Sequence, residues 1–522
     1  MASHVFDKNT LYYGDNLEVL RKYFPKESVD LIYLDPPFNS KADYNILFKE
    51  SSGEESVAQI QAFSDFWHWD KTAERTYLEL QEDPKILPTV QFLRAFLGRN
   101  DMMAYLIMMT VRLRELHRVL KSAGSIYLHC DSNASHYLKI ILDLIFGPEN
   151  FRNEIIWKRV TAHSDAKRFG RVADRLLFYS KTEDYKFNKQ SWARTEEYIK
   201  SKFSHIDKNG RAYTLGDLNP PGGRGPIYEF HGITRPWRFT EKKMLELEKK
   251  GRIYTKSRVP RLIRYLDEVG VAGGAVVHEI WQDIPPINSM AKERIGFQTQ
   301  KPVALLERII RASSDEGEIV LDPFCGCGTT IMAAQELKRK WIGIDITHLA
   351  ISLIRSRLKE THVLANKDYQ IIGEPADFES ARELAETNPY QFQWWALSLI
   401  DARPAGQTNE SQGKKGADKG IDGWLTFREA ENINLQRIVV QVKGGVHVGA
   451  QSVRDLLGTV QATRSAMGIL LTLYEPTEQM KQAAMEAEYY ESKTWGHKYP
   501  RIQILTIPEL LEGAKPVLPH TR

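Results

Sequence analysis

Two short apolar runs in this chain end in the same way, on an aspartate followed by proline. Residues 29 to 34 (VDLIYL) lead into DPPFN, and residues 318 to 322 (EIVLD) lead into PFCGCGTT. An apolar run that stops at a proline-locked turn is typical of a buried strand with a loop at its carboxyl end. Strands buried on both faces are typical of a parallel sheet covered by helices, and this constrains the fold most.

The elements around these two strands alternate between helix and strand. Residues 102 to 120 have helical periodicity, residues 121 to 124 interrupt it, and the strand SIYLHCD follows. A helix is predicted after PFCGCGTT, through Lys338, and then the strand WIGID at 341 to 345. This alternation predicts a doubly wound, Rossmann-like parallel α/β sheet. HCD, at 129 to 131, resembles a metal or acid/base cluster and is interpreted as structural.

The chain is too long for one core, so its 522 residues predict two or three domains. Residues 152 to 290 are rich in Arg, Lys, Gly, Pro and aromatic side chains, which predicts a loop-rich inserted module. It divides the α/β part into residues 1 to 151 and 291 to 365. A polar linker at 366 to 388 is expected before a C-terminal α/β unit at 389 to 515.

Composition excludes several classes of protein. Three cysteines exclude a disulfide framework and favour a reducing compartment. The N-terminus has no signal pattern, and no apolar run approaches the ~20 residues that span a bilayer. A cytoplasmic protein without membrane association is therefore expected, and a homodimer is left open. The formal charge of +4 permits nucleic acid binding without arguing for it.

Local charge is more informative than net charge. Between residues 235 and 264 there are eleven Lys or Arg and three Glu, with aromatic side chains interleaved. Such a stretch suits the phosphate backbone of double-stranded DNA. The alternative is a solvated helix face, which accounts well for residues 241 to 250. The candidate DNA contacts in the inserted module are Trp157, Lys158, Arg159, Arg235, Trp237 and Arg238.

A glycine-rich turn separates a strand from a helix at residues 320 to 330. Gly326 and Gly328 would let the backbone approach a ligand, and the helix N-terminus offers free N–H groups. Asp345 ends the next strand, 23 residues after Asp322, where an acidic residue can hold ribose hydroxyls. The combination predicts a nucleoside cofactor, although the missing third glycine makes NAD the poorer choice.

The DPPF loop carries the sharper chemical signal. Asp35 and the carbonyl of Pro36 can each accept a hydrogen bond from an aromatic amine, and Pro37 restricts the conformation of the loop. Such an amine is a poor nucleophile because its lone pair is delocalised, so two acceptors would stabilise the charge that develops during methyl transfer. Phe38 can stack on a base that has swung out of the duplex.

The first 365 residues or so resemble the DNA amino-methyltransferases, whose D/N/S-P-P-Y/F loop serves the target amine and whose F-x-G-x-G loop binds S-adenosylmethionine. The order DPPF, insert, TQKP, DPFCGCG resembles the permuted beta group, which implies that the insert is the target recognition domain. YGDNLEVL at 13 to 20 matches the N-terminal motif of the family. The resemblance implies cofactor contacts at Asp15, Gln300, Lys301, Pro302, Asp322, Phe324, Gly326, Gly328, Thr329 and Asp345.

The target base is less constrained than the reaction. Asp rather than Ser at position 35 favours adenine N6 over cytosine N4 by resemblance to this group. Cytosine C5 is disfavoured because that chemistry needs a cysteine nucleophile beside proline, and the chain has no Pro-Cys pair. An RNA or protein methyltransferase is the remaining alternative, and the basic insert argues against it.

The C-terminal unit contains a second group of polar residues. Asp422 lies in GIDG, and Gln441 and Lys443 lie two apart on an apolar strand, so they point to one face. Asp422 and Gln441 would bind Mg²⁺, and Lys443 would orient or activate water. The arrangement resembles the Mrr-like PD-(D/E)xK nucleases, with Asp418 as another candidate carboxylate. The alternative is a nuclease fold that only binds DNA.

Overall fold

The chain is described by a computed structural model that places most, but not all, of its residues. The described residues are 7–37, 69–160, 167, 169–192, 196–268, 275–288, 291, 293–295, 300–362, 368–405, 420–428, 435–492, 494 and 496–519. The chain separates into two compact units, one formed by Asn188–Glu279 and the other by everything before and after it.

Nine of the described strands form one large sheet in the first unit. In chain order they are β1 Asn9–Tyr13, β2 Val29–Leu34, β3 Leu120–Cys130, β4 Phe151–Lys158, β5 Ala173–Ser180, β6 Ile280–Trp281, β7 Ile319–Asp322, β8 Lys340–Asp345 and β9 Tyr369–Ile372. Across the sheet the order is β6-β4-β5-β3-β2-β7-β8-β1-β9. Only β5 among them runs antiparallel to its neighbours. The predicted Rossmann-like sheet is confirmed.

The helices of this part follow the strands in sequence. They are α1 Asn16–Tyr23, α2 Lys71–Gln81, α3 Leu87–Leu97, α4 Asp101–Val119, α5 Ser135–Phe146, α6 Val303–Ser313, α7 Thr329–Glu336 and α8 His348–His362, with a 3₁₀ turn at Pro148–Asn150. Apolar side chains of α4 and α5, such as Leu113 and Leu142, join Ile32 and Leu34 of β2 in one core. Their burial holds the end of β2 in place.

Two predicted boundaries differ from the structure. Residues 121 to 124 were expected to separate a helix from a strand, but they lie within β3. Leu120 pairs with Val29 and Ser125 pairs with Leu31, so the strand bulges between these two pairs. Helix α7 ends at Glu336 rather than Lys338 because Lys338 adopts a left-handed φ of 57°.

The expected linker at 366 to 388 contains regular structure. Strand β9 pairs with β1, Leu11 facing Ile371, and so extends the large sheet. Helix α9, Phe378–Thr387, then begins at a capping box in which Asp377 and Ser380 bond reciprocally. A sheet edge and a strong helix cap give these polar residues partners that their composition did not predict.

A five-stranded sheet forms the core of the C-terminal part. Its strands, in spatial as well as chain order, are β10 Arg403–Pro404, β11 Gly423–Phe427, β12 Gln436–Lys443, β13 Met467–Thr472 and β14 Ile502–Thr506. The helices are α9, α10 Pro389–Leu399, α11 Ala450–Ala462, α12 Glu478–Glu486 and α13 Ile507–Leu511, and Tyr489–Glu491 pairs with Lys498–Pro500. Ile438 and Val440 pack in one core with Trp395, whereas Val439 packs in another with Leu456, as strand alternation requires.

The unit Asn188–Glu279 has its own small sheets and core. Its strands are Ser191–Trp192, His205–Ile206, Ala212–Gly216, Ile227–Phe230, Ile233–Pro236, Ile253–Tyr254, Arg261–Tyr265 and Ala275–Val276, and its helices are Glu196–Lys202 and Glu241–Lys249, with 3₁₀ turns at Pro221–Gly223 and Leu266–Glu268. The expected insert, 152 to 290, is longer than this unit because β4, β5 and β6 belong to the large sheet. In the described parts of the chain, no helix has the length and apolarity of a membrane span.

Candidate active site

Four strand ends meet at one edge of the large sheet. Strand β2 lies parallel to β7, with Leu31 opposite Val320 and Ile32 opposite Leu321. Strands β7, β8 and β1 continue the parallel series. Because parallel strands present their carboxyl ends at the same edge, the DPPF loop after β2 and the glycine loop after β7 are neighbours. The transfer of a methyl group that the sequence analysis predicts requires these two loops to lie close together.

The glycine loop, residues 323 to 328, joins β7 to α7. Gly328 has a φ of 77°, and a Cβ added to it would lie 2.5 Å from Cγ1 of Ile354. Only glycine fits both the backbone conformation and the space. Helix α7 begins at Thr329 immediately afterwards, so the N–H groups of its first turn, which have no acceptor within the helix, lie at the loop. Phe324 packs partly against the main core.

Two aspartates hold this loop from different sides. Asp322 is buried and accepts hydrogen bonds from Thr330 Oγ1 (2.5 Å) and the Phe324 amide (3.0 Å). It therefore ties together the two ends of the loop. Burial raises the pKa of Asp322 to about 7. Asp345 is half-buried, and its Oδ2 accepts from the Gly326 amide at 2.9 Å. Burial also raises the pKa of Asp345. The other oxygen of Asp345, Oδ1, accepts from the amide and the hydroxyl of Thr347 at 2.9 and 2.8 Å.

Asp15 lies at the start of α1, next to the glycine loop. Its Oδ1 caps the helix by accepting from the Leu17 amide at 2.8 Å, and its Oδ2 forms an ion pair with Arg112 at 2.5 Å. The next residue, Asn16, donates to the carbonyl of Pro323 at 2.8 Å and accepts from Arg112. Both oxygens of Asp15 thus have partners within the protein, and its side chain is one-third exposed. The sequence interpretation did not include Arg112, which is buried within α4.

The end of β2 brings Asp35 to the same edge. Its Oδ2 forms an ion pair with Nζ of Lys301, and both side chains are largely buried. Its Oδ1 is buried and has no hydrogen-bond partner in the part of the chain that the structure describes. Pro36 is buried and Pro37 half-buried beside it, whereas Phe38 lies outside the described residues. The free carboxylate oxygen is positioned to accept a hydrogen bond.

Residues 300 to 302, the QKP of the TQKP motif, make three different contacts in the structure. The Gln300 side chain bonds to backbone a few residues earlier in the chain: it accepts from the Ile295 amide at 3.0 Å and donates to the Glu293 carbonyl at 2.5 Å. Lys301 reaches Asp35, and Pro302 is the N-terminal cap of α6. The contact between Lys301 and Asp35 joins two motifs that lie 266 residues apart. It is one that their spacing did not predict.

The expected DNA contacts divide by burial. Trp157 and Trp237 are buried, and their indole N–H groups donate to the carbonyls of Ile284 and Tyr228. Rings buried in this way cannot stack on DNA, which corrects the prediction for these two residues. Lys158, Arg159 and Arg238 are exposed, and Arg235 is half-buried with its guanidinium 5.0 Å from the Trp237 ring centroid. These four cationic side chains remain candidates for contact with DNA.

The three C-terminal candidates come together on neighbouring strands. Asp422 precedes β11, and its Oδ2 accepts from the Val442 amide of β12 at 2.7 Å. Gln441 is buried, and its amide lies beside Gly420, while Lys443 is half-buried. Across the described ranges, no group of three or more His, Cys, Asp or Glu could hold a metal ion. Asp418 lies outside the described residues.

Two family models match parts of this chain. A family model described as DNA methylase, covering the N6 and N4 enzymes, matches residues 29–356, which is more than half of the chain. The chain belongs to this family. A second model, described as NACHT-associated inactive restriction endonuclease 1, matches residues 407–512.

Individual relatives come from restriction-modification systems and beyond. The chain is 31% identical to the type II methyltransferase M.EcaI of Enterobacter cloacae, over 49% of this chain and 57% of that protein. It is 25% identical to the Mod subunit of the type III enzyme StyLTI of Salmonella typhimurium, over 65% and 52%. The DNA adenine methyltransferase YhdJ of Escherichia coli is 25% identical over 67% and 83%. The chain thus spans about half the length of the first two relatives.

The solved structures to which this chain is similar include a DNA modification methylase of Thermus thermophilus in complex with S-adenosyl-L-methionine. It is 17% identical, with a TM-score of 0.34, over 70% of this chain and 99% of that one. The PvuII cytosine-N4-specific DNA methyltransferase is 14% identical, with a TM-score of 0.33, over 69% and 89%.

Proposed function

We propose that the chain transfers a methyl group from S-adenosylmethionine to the exocyclic amine of a base in double-stranded DNA, adenine N6 being favoured. The observation that carries the proposal is the buried Oδ1 of Asp35, which has no partner in the described chain and lies next to the glycine loop. Burying an acceptor without a partner is unfavourable, so such an atom is expected to receive one from a ligand.

The residues around the glycine loop fit the cofactor. Asp345 has its carboxylate at the loop, where ribose hydroxyls can donate to it, and the first turn of α7 begins directly after Gly328. S-adenosylmethionine supplies a methyl group on a positively charged sulfonium. The chain's own contribution is to hold that group beside Asp35.

Asp35 acts on the target amine in this proposal. Its Oδ1 accepts a hydrogen bond from one N–H of the amine, and the Pro36 carbonyl accepts a hydrogen bond from the other, which moves the nitrogen lone pair out of conjugation with the ring. The amine gains the methyl group and loses one proton. Lys301 holds the second carboxylate oxygen and keeps Asp35 oriented. Proline at two successive positions keeps the loop rigid, so little reorganisation is needed when the base arrives.

The base is tested by the modified nucleoside that the protein produces. Duplex DNA is incubated with the protein and S-adenosylmethionine, digested to nucleosides and analysed by mass spectrometry, with a reaction lacking cofactor as control. We expect N6-methyladenine. N4-methylcytosine in its place would establish the alternative base, and a methylated product found only in RNA or protein would contradict the proposal. The adenine specificity that YhdJ carries in its name agrees with the expectation.

Restriction-modification is the proposed setting, because two relatives, the Mod subunits of StyLTI and EcoP15I, carry that term in their names. Exposed cations at Lys158, Arg159 and Arg238, together with Arg235, are the proposed DNA contacts. Cytosine N4 with a tail that only binds DNA is the alternative for the whole chain.

An endonuclease in the C-terminal part is a second hypothesis. It is favoured by the hydrogen bond that joins Asp422 to the strand carrying Gln441 and Lys443, whereas the single carboxylate and the description of the matching family as inactive weigh against it. Mg²⁺ would be held by Asp422 and Gln441. One carboxylate holds Mg²⁺ less firmly than two, so any cleavage is expected to be slow.

Cleavage is measured by incubating plasmid, methylated or unmethylated, with Mg²⁺ and the protein. Asp422→Ala and Lys443→Ala serve as matched variants. Lys498→Ala serves as the control, because Lys498 is exposed and lies in the strand that pairs with Tyr489–Glu491. If the hypothesis holds, both active-site variants lose the cleavage that the wild type and the control retain. Cleavage that is equal in all four proteins, or absent from the wild type, contradicts it.

A further inference from the structure

A row of four polar side chains runs from β2 to the protein surface. Oη of Tyr33 lies 2.9 Å from Nδ1 of His129, and Nε2 of His129 lies 3.2 Å from Oδ2 of Asp174. Oδ1 of Asp174 is 3.1 Å from Nε of Arg159, whose side chain is half exposed. His129 belongs to the HCD segment that the sequence interpretation treated as structural.

Burial makes the row costly unless every member is bonded. His129 is fully buried, Tyr33 and Asp174 nearly so, and the imidazole packs edge-on against the rings of Tyr33 and Trp157. Apolar side chains would fill the same space without any desolvation cost. A buried and fully bonded polar row instead restricts the geometry of the elements that it connects.

The elements that it connects include the strand that ends in Asp35. Tyr33 and Asp35 are two residues apart, so in an extended strand they point to the same side. Strand β3 pairs with β2 so that Tyr127 faces Tyr33 and Leu128 faces Leu34. His129 therefore lies one step further along, beside the position of Asp35.

The protons in the row have a consistent arrangement. Burial raises the pKa of Tyr33 well above its ordinary value, so the phenol keeps its proton and can donate it to Nδ1. A phenol that donates to Nδ1 leaves Nε2 as the imidazole donor, and Nε2 faces Oδ2 of Asp174. Burial alone would raise the pKa of Asp174, but the His129 hydrogen bond and the Arg159 charge outweigh it, and the pKa is lowered. Asp174 is the anionic end of the row.

We infer that Tyr33, His129 and Asp174 are positioning residues that hold the end of β2, and with it Asp35, in the orientation that accepts the target amine. Arg159, a proposed DNA contact, connects this row to the surface. The inference rests on the proposed methyl transfer, and it assigns a role in positioning Asp35 to residues that lie outside the DPPF loop and the glycine loop.

The test compares two buried tyrosines that face each other in the sheet. Tyr33→Phe removes the hydroxyl bonded to His129, and Tyr127→Phe removes the hydroxyl that lies 2.8 Å from Ser313 Oγ. Each substitution removes one buried hydrogen bond, so both should lower the unfolding temperature by similar amounts. We expect Tyr33→Phe to lower kcat about tenfold with the Kd for S-adenosylmethionine unchanged, and Tyr127→Phe to change kcat by less than about twofold.

A second pair of variants tests His129 itself. The amide in His129→Asn can still bond Tyr33, whereas His129→Ala removes both bonds, so kcat should fall less in the first than in the second. Equal kcat values for Tyr33→Phe and Tyr127→Phe would overturn the inference, as would equal losses of kcat and cofactor affinity in Tyr33→Phe. A wild-type protein that methylates no DNA would instead refute the proposed function, so the two failures are distinguishable.

Discussion

Asp35→Ala is expected to lower kcat for DNA methylation by roughly 1000-fold, which is the order of loss when one preorganised polar group is removed from a reacting centre. The carboxylate contributes the acceptor that favours a nucleophilic amine, and alanine offers none. The variant also loses the ion pair with Lys301, but it does not alter the residues of the glycine loop or Asp345. We therefore expect the Kd for S-adenosylmethionine, measured by calorimetry, to stay close to that of the wild type.

Asp35→Asn is the matched control for this prediction. An amide has nearly the shape of the carboxylate and keeps one acceptor oxygen, and asparagine also occurs at this position in the motif of the family. Its kcat should lie between those of the wild type and Asp35→Ala. Loss of cofactor binding in Asp35→Ala, or full activity in that variant, would contradict the role given to this residue.

Asp345→Ala is expected to lower the affinity for the cofactor rather than kcat. Two charge-assisted hydrogen bonds to ribose hydroxyls contribute about 1.5 kcal/mol each, so their removal should raise the Kd for S-adenosylmethionine about 100-fold. The Gly326 amide also loses its acceptor, which loosens the glycine loop in the same direction. Calorimetric titration with S-adenosylmethionine measures this loss.

The two alanine variants are controls for each other. Asp35→Ala should bind cofactor and fail to methylate, whereas Asp345→Ala should recover much of its rate when S-adenosylmethionine is saturating. DNA affinity, measured by fluorescence anisotropy with a labelled duplex, should be similar in both. An Asp345→Ala variant that binds the cofactor as tightly as the wild type would remove Asp345 from the proposed cofactor site.

Much of the architecture follows from local sequence patterns. The apolar runs ending in Asp-Pro predict β2 and β7 because buried parallel strands lack alternation and end at rigid loops. The glycine turn between β7 and α7 follows from the need for a left-handed residue at Gly328. These features depend on residues close together in the chain, so the sequence alone is sufficient to predict them.

Burial was not predictable in the inserted module. Trp237 lies in a basic, aromatic stretch that suits DNA contact, yet it is fully buried with Phe230 and Met244. Composition does not distinguish an aromatic ring that faces DNA from one that fills a small core, because both settings favour large apolar side chains. Only the packing of that unit separates the indole from the exposed cation at Arg238.

The sequence by itself determined the α/β class, the order of the two loops along the chain, and the presence of both an acidic, proline-locked turn and a glycine turn. Tertiary structure alone decided which side chains meet: Lys301 with Asp35, Arg112 with Asp15, and His129 with Tyr33 and Asp174. The physical reason is that such pairs join residues 96 to 266 apart or lie on neighbouring strands, and their distances depend on sheet order and register. No local pattern encodes either quantity.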